Sequence, residues 1–81
     1  MDLTGRHPST VAALRLFRYT HLPAPLQEVS VLFADLAEKL VGLLPDDPLL
    51  TTCLNTNLWD AKNRAVMLAV LTDEANDEEA Q

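Results

Sequence analysis

Phe17, Arg18, Tyr19, His21 and Pro23 stand together in the run FRYTHLP. A guanidinium, a phenol ring and an imidazole on one short segment suit binding rather than bond-breaking. Arginine holds phosphate in a two-pronged contact, and an aromatic ring stacks on a base. On an extended segment alternate residues face the same way, so Tyr19 and His21 would fall on one side. Arg64 adds a cation on a later element, where a paired subunit or the first segment can pass. The plainer alternative is that Phe17 and Tyr19 cover neighbouring helices while the arginines face solvent.

Enzymatic chemistry has less to work with. Cys53 lies among Leu50, Thr52 and Leu54, the setting of a buried structural thiol rather than a nucleophile. No acidic pair has a reason to be buried together. One cysteine with His7 and His21 does not make a zinc site. Only Gly5 and Gly42 are present, so there is no glycine-rich phosphate loop. The expectation is a protein that is not an enzyme and has no cofactor and no metal.

At 81 residues the chain makes one domain at most. Chains this small are marginal without staples, and a lone cysteine excludes an internal disulfide. Self-association is the simplest remedy. The formal charge of −6 is concentrated at one end: Asp73, Glu74, Asp77, Glu78 and Glu79 crowd the last nine residues. That end reads as an acidic, disordered tail over 73–81. In the first 24 residues Arg6, Arg15 and Arg18 face only Asp2. Three arginines suit a small anionic ligand, not duplex nucleic acid, which needs several phosphate contacts. No leader of basic-then-apolar type and no run of about 18 apolar residues is evident, so a cytoplasmic protein without a membrane span is expected.

The elements that must carry these residues are helical. Ser9 or Thr10 can cap a short helix over 11–16. Prolines 23 and 25 favour an extended segment over 19–25. A long helix is expected over 25–44, with Leu26, Val29, Phe33, Leu36 or Ala37, Leu40 and Leu44 as one apolar stripe. LLPDDP is the turn, with Asp46 or Asp47 as cap and Pro48 at the first position of the next helix. That helix is expected to reach about position 71. Leu50, Leu54, Leu58, Ala61, Ala65, Leu68 and Ala69 form its stripe. A joint of about three residues makes the two long helices antiparallel. Val31, Leu32, Val41, Leu43, Val66, Met67 and Val70 fall partly outside the stripes. A lone hairpin would leave them exposed, which calls for a third element, a partner subunit, or both.

The ordered pattern carries a resemblance. F-x-Y-x-H-L-P at Phe17–Pro23 is followed by L-A-x-x-L-x-x-x-x-P at Leu36, Ala37, Leu40 and Pro45. Then comes L-x-x-A-x-x-x-A-x-x-x-A at Leu58, Ala61, Ala65 and Ala69. Over roughly residues 15–71 this resembles the hairpin domain of phage anti-CBASS proteins, which are cyclic-oligonucleotide sponges. The resemblance implies a small all-helical hexamer in the cytoplasm of a bacterial host. It would capture a cyclic di- or trinucleotide immune signal between subunits without cleaving it. Tyr19 matches the family's pocket tyrosine. The chain departs from the pattern at Ala34 and Leu71, where the family tends to carry lysine and arginine. It departs again at Val66 and Arg64, which replace an asparagine and a tryptophan. Arg18 or Arg64 would then have to supply the phosphate contact.

The resulting expectation is an all-α fold. A short N-terminal helix packs on a long antiparallel hairpin (about 25–71) in a single domain over 1–72, assembled as an oligomer. Tyr19, Arg18, His21 and Arg64 are the candidate ligand residues. The competing expectation is a helical scaffold or protein–protein adaptor that uses exposed Leu, Val and Met positions and binds no nucleotide.

Overall fold

The computed structural model describes the backbone of residues 3–80 and the side chains of residues 3–73. The fold is all-α: helix α1 (Pro8–Arg15), helix α2 (Ala24–Leu43), a short helix α3 (Pro48–Thr52), a π-helical segment (Cys53–Leu58) and helix α4 (Trp59–Ala80). No strand occurs among the described residues. The last three elements follow one another without a break. They form one long helix that includes a turn of wider winding.

The start of α1 differs from expectation. His7, not Ser9 or Thr10, is the cap: its Nδ1 accepts the Ser9 N–H at 3.0 Å, and Pro8 takes the first helical position. Thr10 is freed for a different task and is buried. At the second turn the two aspartates divide their roles. Asp47 Oδ1 caps α3 by accepting the Leu49 N–H at 2.8 Å. Asp46 reaches back to the N-terminal segment. Its Oδ1 accepts from the Thr10 hydroxyl at 2.7 Å and from Arg6 Nε at 3.0 Å. Its Oδ2 accepts the His7 N–H at 2.9 Å. Arg6 also donates to the carbonyls of Val41 (2.7 Å) and Leu44 (2.9 Å), so it satisfies the open C-terminal end of α2. Gly5, with φ of +81°, makes the left-handed turn that aims Arg6 at these groups.

The core lies where α1, α2, α3 and the π segment meet. Ala13, Phe17, Ala34, Ala37, Val41, Leu50 and Leu54 are buried there. The buried face of α2 is therefore Ser30, Ala34, Ala37 and Val41, which shares with the expected stripe only Ala37, the alternative to Leu36. Of that stripe, Leu26, Val29, Phe33 and Leu40 are half-buried, and Leu36 and Leu44 are exposed. The reason is steric. Helix axes approach most closely where side chains are small, so the Ser/Ala face lies against the neighbours and the bulkier leucines flank it.

The π segment explains a second departure. In regular α-helix, residues spaced by four drift steadily around the axis. Here Leu50, Leu54 and Lys62 are buried and Leu58 is half-buried, although each is four residues from the next. The wider π turn absorbs about one residue and keeps all four on one side. Lys62 is thereby carried to α1, where Nζ donates to the Leu16 carbonyl at 3.3 Å. Ala61 and Leu68, expected on the stripe, are exposed. Helix α4 continues to Ala80, into the segment expected as a tail. The side chains of residues 74–80 and all of Gln81 lie outside the described residues, and the expectation for the tail falls there.

Candidate functional site

Between α1 and α2 the segment 16–23 turns rather than runs extended. The Leu22 N–H donates to the Tyr19 carbonyl at 3.0 Å, closing a turn over 19–22. Gln27 Nε2 donates to the Leu22 carbonyl at 2.7 Å and the Thr20 carbonyl at 3.3 Å, pinning that turn to the first coils of α2. The alternation that would set Tyr19 and His21 on one side therefore does not apply.

A cavity of about 170 Å³ opens beside this turn. Phe17 and Ala34 form its floor, and Arg18, Tyr19, Thr20 and Glu38 stand around it. Phe17 is almost fully buried, and Tyr19 is half-buried against the same core. The structure thus brings Arg18 and Tyr19 to one wall. His21 is exposed within the turn and is not on that wall. Arg64 lies on α4, its side chain 80% exposed, with Nη2 3.3 Å from Asp60 Oδ2. Within one chain, two of the four candidate residues share a surface.

Sequence reasoning missed Thr20, Glu38 and the role of Ala34 in this cavity. Ala34 and Glu38 are four apart on α2 and so share a face. That spacing was readable, but which face of α2 would meet the 17–20 segment was not. Ala34 is also the position where the resembled family carries a lysine. Glu38 supplies a negative charge near Arg18, so this wall is mixed in sign.

A second cavity, about 330 Å³, lies between the start of α1 and the start of α3. His7, Ser9, Thr10, Asp46, Thr51 and Thr52 are among its lining residues. Its principal polar groups are already used: Asp46 by three donors, and His7 Nδ1 by Ser9. The Thr10 hydroxyl bond, then the His7 N–H, and then Arg6 hold the Asp46 carboxyl below its ordinary value of 3.8, against an opposing push from burial. This is a structural latch between the N-terminal segment and the α2–α3 turn. A third space, about 410 Å³, is an apolar groove where Pro25 and Val29 of α2 face Ala65, Leu68, Ala69 and Thr72 of α4.

Among the described residues no group of three or more His, Cys, Asp or Glu side chains is placed to hold a metal ion. No helix there is long and apolar enough to cross a membrane. Cys53 is a half-buried free thiol. Comparisons with family models, with characterised proteins and with solved structures found no match.

Proposed function

We propose that the chain is a non-catalytic helical binding protein that sequesters a cyclic oligonucleotide, or a related nucleotide immune signal, in a bacterial cytoplasm. The observation that carries this reading is the convergence of Arg18 and Tyr19 on one cavity over a rigid Phe17 floor. A guanidinium and an aromatic ring on one wall are what phosphate recognition and base stacking need. The positions matching the family's tyrosine and lysine, Tyr19 and Ala34, border this same cavity. That agreement supports the resemblance, although Ala34 itself offers no charge.

A space of about 170 Å³ is smaller than the roughly 300–1,000 Å³ of pockets that enclose a small molecule. It is one wall of a site that a second subunit completes. Energetics point the same way. Nanomolar capture corresponds to about 12 kcal/mol, beyond what one arginine and one tyrosine supply. His21 and Arg64, exposed on other surfaces, are available to contribute from a neighbouring copy. The antiparallel hairpin belongs to this reading. It is supported by the groove in which the first turns of α2 face residues 65–72 of α4. A hexamer would supply the several walls.

The test is thermal unfolding of the purified protein with a panel of cyclic di- and trinucleotides and their linear counterparts. A ligand that binds the native state raises its stability by mass action. One cyclic species is expected to raise the transition strongly, and Tyr19→Ala to abolish the rise. No rise with any member at saturating concentrations would sink the nucleotide reading.

The adaptor reading is favoured by a different observation. Leu32, Leu43, Leu49, Met67, Leu68 and Leu71 are all more than half exposed. Recovery of one stoichiometric protein partner, with silence across the nucleotide panel, would establish it.

A further inference from the structure

We propose that Glu38 makes the cavity beside the 17–20 segment selective for a guanine-containing nucleotide. This rests on the sequestration reading above and names the base that the cavity takes. Glu38 borders the cavity with Arg18, Tyr19 and Thr20, over the floor of Phe17 and Ala34. None of those four polar side chains has a hydrogen bond or ion pair among the described residues. Arg18 and Glu38 therefore do not neutralise each other, although both stand at one opening. Ala34, four residues before Glu38 on the same face of α2, ends at Cβ. A larger side chain there would fill the space that Glu38 borders.

A rim of mixed sign constrains the ligand. A purely anionic molecule is attracted by Arg18 and repelled by Glu38, and a purely cationic one meets the reverse. The ligand that satisfies both offers an anionic group to the guanidinium and N–H donors to the carboxylate. An ionised carboxylate only accepts, through two oxygens side by side. Guanine presents two adjacent in-plane donors on its pairing edge, N1–H and the N2 amine, which match those oxygens. Adenine and cytosine present one amine beside a bare ring nitrogen, whose lone pair repels the second oxygen. Uracil presents one N–H between two carbonyls. Guanine alone among the four pairs both oxygens, while phosphate of the same nucleotide goes to Arg18. The ring of Tyr19, half-buried against the core, gives the base a stacking surface.

Glutamine at this position distinguishes base reading from bulk charge. Its amide presents one acceptor and one donor, the pattern that the amine and ring nitrogen of adenine complete. Loss of charge alone does not favour one purine over the other.

The test is titration calorimetry of the full chain with cyclic di- and trinucleotides of guanosine, inosine and adenosine. The wild type is expected to bind a guanosine member at least about tenfold more tightly than its adenosine counterpart. Inosine, which lacks the N2 amine, is expected between them. Glu38→Gln is expected to turn the preference towards adenosine, and Glu38→Ala to erase it. Glu38 is exposed, so both variants are expected to fold, with far-ultraviolet circular dichroism as the control. Equal wild-type affinity for the two purines, or a preference for adenosine, overturns the assignment and leaves the sequestration reading standing. So does a guanosine preference that survives both variants. Absence of binding by any member overturns both.

Discussion

Asp46 is the residue on which the N-terminal quarter depends. It holds Thr10, His7 and Arg6 at once, while Arg6 closes the end of α2. Its carboxyl is lowered in the folded state, so it binds a proton less readily there than in the unfolded chain. The stabilisation is therefore present above the unfolded value of 3.8 and is lost as pH falls through the lower folded value. Thermal unfolding followed from neutral pH into this acid range should show that loss in the wild type. Asp46→Asn should be less stable at neutral pH and should lack this part of the acid dependence. An unchanged profile would mean the three bonds contribute nothing to folding. Asp47, one residue on, is a cap, and a sequence reading that lets either aspartate do that work has no means of telling them apart. Both sit in the same turn, and only the position of Thr10 and Arg6 across that turn assigns them.

At the scale of elements, the π segment sets the phase of everything after it. It keeps Leu50, Leu54, Leu58 and Lys62 on one side, although regular α-helix would rotate Lys62 away by about 120° relative to Leu50. Deleting the exposed Asn55 would convert the segment to ordinary α-helix and leave that alignment nearly intact, because the π turn holds about one residue more. The Asn55 deletion is expected to fold with the helicity and cooperative melt of the wild type. Deletion of Asn63, within regular α4, is expected to rotate the rest of α4 by about 100° and disrupt its packing on α2. Equal damage from both deletions would refute this account of the segment. The existence and ends of α2 were legible from Pro25, the apolar spacing and the LLPDDP turn. Which of its faces is buried deepest was not, because leucines at 3.5 spacing look like a core stripe even where smaller residues beside them make the closest contact.

For the whole molecule the deciding quantity is apolar surface. A chain of 81 residues with many exposed leucines, and a buried apolar core of six small-to-medium side chains and one phenylalanine ring, has little stability to spare. If exposed leucines such as Leu32, Leu36 and Leu43 are covered by a second copy, folding and association are linked. The melting temperature should then rise with protein concentration by mass action. Differential scanning fluorimetry across a hundredfold dilution series measures this, and a concentration-independent melt would contradict it. Leu36→Asp should flatten the dependence and lower the melt at high concentration.

The sequence by itself determined the helical class, the two proline-marked helix starts, an aspartate cap ahead of Pro48 and the proximity of Arg18 to Tyr19. These are local matters: a cap, a proline and a 3.5-residue spacing act within one or two turns of chain. Tertiary structure decided the rest. It assigned His7 as the first cap and made Asp46 a latch. It turned the small-residue face of α2 inward, carried Lys62 onto the Leu16 carbonyl and separated His21 and Arg64 from the Arg18–Tyr19 wall. Each of these depends on which surfaces meet across dozens of residues. That choice is made by side-chain volume at the contact, and no periodicity along the chain encodes it.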